Sequence, residues 1–191
     1  MGETTVLRAD DPRVRALAAA GWRTTARSFG AQLDAGGLDR AQLRARVDRV
    51  APFVVRELGE ADLRAVRALD AATVGDYPGS VATRHELLTD VTAALHHDRR
   101  AFGAWTPDGR LVGLTYVDRD GDTVETDFTV VDPAFRGRGV GVAVKAASVL
   151  ALVEDGVRRF RTGGSADNAA IIAAGAALGY RRDEEWVTLE R

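Results

Sequence analysis

The sequence predicts an α/β protein with a mixed, mostly antiparallel sheet flanked by helices, and three observations carry that expectation. Apolar runs of strand length recur along the chain. Two of the turns between them, Pro107-Asp-Gly109 and Asp118-Arg-Asp-Gly121, have hairpin chemistry. Longer stretches with apolar residues at helical spacing lie before and after these hairpins, so helices and strands must share one layered core.

The elements can be justified in order. Residues 38–50 are rich in Arg and Asp, and Leu38, Leu43, Val47 and Val50 form the stripe of a modest amphipathic helix, expected to act as a connector. Ala51-Pro52 ends it, because the residue before a proline is disfavoured in helix, and 53–58 reads as a strand. The expected division is therefore an N-terminal segment, 1–50, and a domain, 51–191. Residues 60–72 place Leu63, Val66 and Leu69 at helical spacing before the turn chemistry of 76–80. A second helix is expected over 85–95, burying Leu87, Leu88, Val91 and Leu95. Residues 101–105, 110–117 and 123–131 form an antiparallel meander. A glycine-rich turn at 136–141 then opens a helix running through Val153. A strand near 158–162, a helix over 167–178 and a strand near 185–190 complete the order β-α-α-β-β-β-α-β-α-β.

Within the N-terminal segment, Ala9-Asp10-Asp11-Pro12 through Ala20-Gly21-Trp22-Arg23 echoes Ala166-Asp167-Asn168-Ala169 through Leu178-Gly179-Tyr180-Arg181, with one residue of slippage. The opening reads as the last helix and strand of a preceding copy of the domain. An alternative use is as an exchange element that adds its strand to a neighbouring subunit and so makes a homodimer.

Composition removes whole classes of function. The 26 Lys+Arg against 28 Asp+Glu leave a net charge of -2, so no global attraction to nucleic acid or anionic lipid is expected, and any anion site must be local. The absence of Cys excludes disulfides, thiolate zinc sites and thiol nucleophiles, and three scattered His predict no metal site. The most apolar stretch, 140–153, contains Lys145 and falls short of the roughly 20 residues a membrane span needs. Arg8, Asp10, Asp11, Arg13 and Arg15 interrupt the region where a signal peptide carries its apolar core, so a cytoplasmic location is expected.

The run Val130-Val-Asp-Pro-Ala-Phe-Arg136-Gly-Arg-Gly-Val-Gly141 is a strand, a glycine loop and a helix start, and it points to anion binding. Glycines at 137, 139 and 141 let successive N–H groups converge on a phosphate, and the helix N-terminus adds unsatisfied donors and partial positive charge. Arg136 and Arg138 add full charges. No Gly-Lys-Ser/Thr follows, and the G-x-G-x-G spacing differs from the dinucleotide fingerprint, which excludes two familiar phosphate loops.

Arg136-Gly-Arg-Gly-Val-Gly141 resembles the R/Q-x-x-G-x-G/A signature of the GNAT superfamily of acetyl-CoA-dependent N-acyltransferases. Val131-Asp-Pro133, the meander and Asn168 followed by Leu178-Gly-Tyr180 are similar to that family in order and spacing, over about residues 52–191. The resemblance implies a domain whose fourth and fifth strands splay apart to receive acetyl-CoA. It implies that Val130 and Val131 offer backbone groups to the pantetheine arm, and that Arg136, Gly137, Arg138, Gly139, Val140 and Gly141 cradle the diphosphate. Asn168 looks like the residue that bonds the pantetheine, and it is equally placed to cap the last helix. The implied activity is direct transfer of an acetyl group to a primary amine of a small molecule or a protein.

Such a transfer needs a base for the ammonium proton and an acid for the leaving thiolate. Alternation along 123–131 puts Glu125, Asp127 and Thr129 on one face, so Glu125 and Asp127 are the candidate bases, or else solvated polar residues of a sheet face. Tyr77, Trp105 and Tyr116 are candidates to wall the acceptor pocket, each also able to serve as a core or rim aromatic. Many relatives place a Tyr acid seven residues after the helix-starting Asn, and here that position is Gly175. Tyr180, Ser165 or water must then protonate the thiolate. A second reading follows from the same departure, a catalytically degenerate acyl-CoA-binding module that senses or assembles.

Overall fold

The structure, a computed structural model, describes residues 2–76 and 80–191. In chain order the elements are β1 (Thr4–Arg8), α1 (Arg13–Ala19), β2 (Arg23–Asp34), α2 (Arg40–Asp48), β3 (Val54–Glu57), α3 (Leu63–Thr73) and α4 (Asp90–Ala93). Then come β4 (Arg99–Trp105), β5 (Leu111–Asp120), β6 (Thr123–Val131), α5 (Val140–Glu154), β7 (Arg159–Ser165), α6 (Ala169–Ala177) and β8 (Arg181–Glu190). The strands form one eight-stranded sheet in the order β1-β8-β2-β7-β6-β5-β4-β3. Every pairing is antiparallel except β6 with β7. The expected fold class and the expected order of elements after residue 51 both hold.

The meander forms because each hairpin combines a tight glycine turn with strands whose inward residues are apolar. Val66 and Leu69 of α3 meet Leu114, Tyr116, Phe128 and Val130 on one face of the sheet. Ala146, Val149 and Leu152 of α5 meet Val117, Val124 and Phe160 on the other. Sequential strands and a parallel crossover through α5 make β6 and β7 neighbours.

Two sequence expectations are corrected here. The helix over 85–95 shrinks to α4, because the preceding chain is held elsewhere. His85 Nε2 lies 2.6 Å from Asp70 Oδ1, and Leu88 N–H donates to Asp70 Oδ2 at 2.7 Å. A reciprocal Thr89–Thr92 capping box then starts the helix late. Leu88 is buried, but Leu87 and Val91 are exposed, Val91 at 83%. The second correction concerns α2, which is no mere connector: Leu43 is 2% exposed and joins the core beneath α5.

The sheet also runs across the expected division at 50/51. Strand β2 inserts between β7 and β8 of its own chain. The units β1–α1–β2 and β7–α6–β8 are arranged about a pseudo-twofold axis between β2 and β8. Each unit's second strand pairs with the other's first, β8 with β1 and β2 with β7. Gly21 and Gly179 follow the two helices at φ 90° and 91°. The sequence echo thus has a counterpart in topology.

Candidate functional site

Strands β6 and β7 pair only at Thr123↔Arg159, Val124↔Phe160 and Glu125↔Arg161. Beyond that point both continue, but apart, which leaves a V-shaped gap with Thr126 and Thr162 as the first unpaired residues. A cavity of about 480 Å³ occupies the gap. Thr129, Val130 and Val131 form one wall and Gly163, Gly164 and Ser165 the other, while the glycine loop stands at the mouth.

The loop is built as its sequence requires. Gly137 (φ 73°) and Gly139 (φ 83°) are in the left-handed region, where side chains are disfavoured. Gly139 is the N-cap of α5, and Ala143 N–H makes the first bond back, to Gly139 C=O at 3.0 Å. The amides of Val140, Gly141 and Val142 are therefore left without a partner in the helix at the positive end of a 15-residue dipole. Val140 contributes its backbone only, because its side chain is buried against Gly113. Arg136 clamps the mouth: its Nε donates to Val131 C=O at 3.0 Å, and its guanidinium reaches Asp76 across the opening at 2.7 Å. Asp76 lines the cavity too. Arg138 lies over the Phe135 ring at 5.3 Å.

On the far wall, Asn168 caps α6 through Oδ1, which accepts from Ile171 N–H at 3.1 Å, and the same residue lines the cavity. Of the two roles open to it in the sequence, the cap is present. Ser165 lines the cavity, and its Oγ accepts from Asp167 N–H at 3.2 Å. Tyr180 does not line it; burial drives the phenol well above the ordinary tyrosine range, and the group bonds Thr126. Gly175 is buried against Tyr180.

At the apex of the gap stands a residue the sequence analysis noted only as an interruption in an apolar run. Lys145, 1% exposed, donates from Nζ to Thr126 Oγ1 at 3.1 Å and to Thr162 Oγ1 at 3.0 Å, and it lines the inner end of the cavity. Burial without a compensating charge pushes its pKa down to about 7.

The expected alternation of Glu125, Asp127 and Thr129 is corrected by a β-bulge. Tyr116 pairs with Phe128 and Val117 with Thr126, so Asp127 is the extra residue. Before the bulge Val124 and Thr126 face α5; after it Phe128 and Val130 face α3, and Thr129 and Val131 turn toward Gly141 of α5. Glu125 and Thr129 therefore lie on opposite faces. Asp127 accepts from Arg99 at 2.8 Å, and Arg99 is held by Asp118 as well. Glu125 is exposed and forms no ion pair among the described residues. Neither carboxylate lines the cavity.

Of the expected pocket walls, Tyr116 is a core residue. It is 0% exposed, stacks on Phe128 at 5.1 Å and donates its hydroxyl to Ala93 C=O at 2.9 Å, and burial pushes its pKa up to about 12. Trp105 packs at the far end of β4 beneath Arg56, away from the cavity. Tyr77 lies outside the described residues. No local sequence signal marks the buried Asp70–His85 pair, in which His85 stacks on Phe128 at 3.8 Å. The pair pins the chain before α4 to the strand bearing the bulge, and Ser80 carries that same connection across to Thr188 of β8, 3.1 Å away.

Among the described residues no cluster of three or more metal-ligating side chains occurs, and no helix is long and apolar enough to cross a membrane. A family model described as an acetyltransferase (GNAT) domain matches residues 37–170. The fold is similar to that of a GCN5-related N-acetyltransferase from Sphaerobacter thermophilus, with TM-score 0.76 and 16% identity over 100% of this chain and 60% of that one. A tandem GNAT protein from the clavulanic acid biosynthesis pathway gives 0.66 and 23% over 100% and 63%. The ribosomal-protein-S18-alanine N-acetyltransferase from Escherichia coli gives 0.55 and 18% over 72% and 92%. The chain thus spans less than two thirds of the first two structures. No curated protein matches its sequence.

Proposed function

We propose, from the premise that this chain belongs to the GNAT acetyltransferase family, that the gap between β6 and β7 holds acetyl-CoA and that the protein moves the acetyl group directly to an amine. The observation that carries this reading is the continuity of that gap with three unpartnered amides at the start of α5. A diphosphate needs convergent donors and positive charge, and the loop supplies both. An amide-rich arm needs a strand edge free of its neighbour, and β6 offers one from Thr126 onward. The residues present therefore fit the donor, which supplies the reactive thioester carbonyl.

The chain's own contribution is placement and proton handling. The loop amides, with Arg136 released from Asp76 or bridging to it, hold the diphosphate. The β6 edge and Asn168 align the arm. Glu125, unpaired beside the bulge, accepts the proton of the incoming amine directly or through water, whereas the Asp127 carboxylate is engaged by Arg99. The Ser165 hydroxyl, whose oxygen already accepts a bond, is free to donate its proton toward a departing thiolate.

Calorimetry with acetyl-CoA tests the binding half: binding at sub-millimolar concentration, abolished by Gly139→Glu, is expected, and absence of binding overturns the assignment. Thiol release across a panel of amines tests the chemistry. Glu125→Gln is expected to lower kcat about 100-fold with KM little changed, the range of a lost general base. The second reading, an acyl-CoA-binding module without turnover, draws support from Gly175 and from the engaged Asp127. Tight binding with no thiol release on any amine would establish it.

A further inference from the structure

Lys145 takes no part in the placement and proton handling proposed for acetyl transfer. Its ammonium carries three protons, and two are used on Thr126 and Thr162. Among the described residues it forms no ion pair. The charged side chains of the adjoining strands turn elsewhere: Asp127 to Arg99, Arg161 to Glu184, and Glu125 to solvent. Residues 169–177 of α6 carry no charge at all, Asp76 at the mouth of the cavity is held by Arg136, and the Tyr180 ring centre is 5.8 Å from Nζ. The inner end of the cavity is thus an amine and two hydroxyls, and only when protonated does the amine have an N–H beyond the two given to Thr126 and Thr162.

Resting on the acyl-CoA reading above, we propose that Lys145, Thr126 and Thr162 recognise a carboxylate at the far end of the acyl group, so that the preferred donors are acyl-CoA thioesters with an acidic tail. The argument is one of complementarity. An acyl group ending in a methyl leaves the buried amine as poorly compensated as before. A carboxylate accepts the third N–H and supplies the missing counter-charge, in a setting where charge-assisted bonds are strong. The apex position matters as well. Donor groups held at the mouth by the α5 amides direct the acyl end inward along the V, toward the point where Thr126 and Thr162 diverge. Because the free amine is largely neutral at slightly alkaline pH, seating a carboxylate requires it to take up a proton.

The test is calorimetry on the whole chain with CoA, acetyl-CoA, malonyl-CoA and succinyl-CoA, at pH about 8 in buffers of different ionisation enthalpy. Malonyl- or succinyl-CoA is expected to bind about tenfold tighter than acetyl-CoA, with uptake of about one proton absent for acetyl-CoA. Lys145→Met is expected to erase the preference and the proton uptake while leaving affinity for CoA itself unchanged. Equal or weaker binding of both acidic donors, no proton uptake by the wild type, or a preference that survives Lys145→Met overturns the proposal while the acyl-CoA reading stands. Failure of CoA and every thioester to bind overturns that reading, and the proposal with it. The ranking and proton count on the wild type decide the matter even if the variant fails to fold.

Discussion

Replacing Lys145 with Met keeps the length of the side chain and removes its amine, which makes the stability of the protein a direct reading of the amine's state. In the unfolded chain the amine titrates near 10.5, and in the fold near 7. Between those values the unfolded state binds the extra proton, so the wild type gains stability as pH rises through that window. The gain is ~1.4 kcal/mol per pH unit in mid-window and ~5 kcal/mol over the whole of it. Lys145→Met lacks this slope. It also loses two hydrogen bonds to threonine hydroxyls, at about 1–3 kcal/mol for each group left unsatisfied, but that loss does not vary with pH. Urea unfolding of both proteins at pH about 7.5, 8.5 and 9.5 separates the two effects. The wild-type midpoint should climb against the variant's by roughly 0.7 M per pH unit for a slope of about 2 kcal/mol/M. Parallel curves would refute the reasoning, since they would mean that the amine is equally ionised in both states.

Other expectations are as direct. Gly139→Ala forces a side chain into left-handed backbone at about 1–2 kcal/mol and should weaken acetyl-CoA binding; Gly121→Ala, at φ 60° in a distant turn, should cost comparable stability and leave binding intact. Phe29→Ala, a core truncation on β2, should lower stability by about 3–5 kcal/mol in denaturant titration, where a loss below 1 kcal/mol would show that β2 does not anchor the sheet. His85→Ala should leave buried Asp70 with one donor, cost about 1–3 kcal/mol and speed amide exchange at Leu88; unchanged protection there would contradict the pinned connection.

The glycine loop was legible because Gly137 and Gly139 encode backbone conformation in side-chain absence, a local property. Strand β6 was legible to the residue at both ends, for its apolar pattern and flanking turns are equally local. The face assignment of Thr129 was not, because one bulged residue at Asp127 inverts everything after it, and no propensity marks a bulge. The helix over 85–95 misled for a different reason: its apolar spacing was genuine, but a tertiary bond from Asp70 outcompeted it. Lys145 and the Asp70–His85 pair stayed hidden because burial of a polar group depends on what packs around it, which only the assembled sheet decides.

The placement of β2 bears on how the protein comes into being. A ribosome finishes this strand at Asp34, yet its two partners begin at Arg159 and Arg181, so the nascent chain carries Phe29, Ala31 and Leu33 without their strand neighbours until β7 and β8 have been made. Distant pairings of this kind slow folding and leave sticky edges exposed. The wall of the gap made by β7 therefore gains its backing only when two segments far apart in the sequence meet, and a product terminated before β7 would have no such pocket.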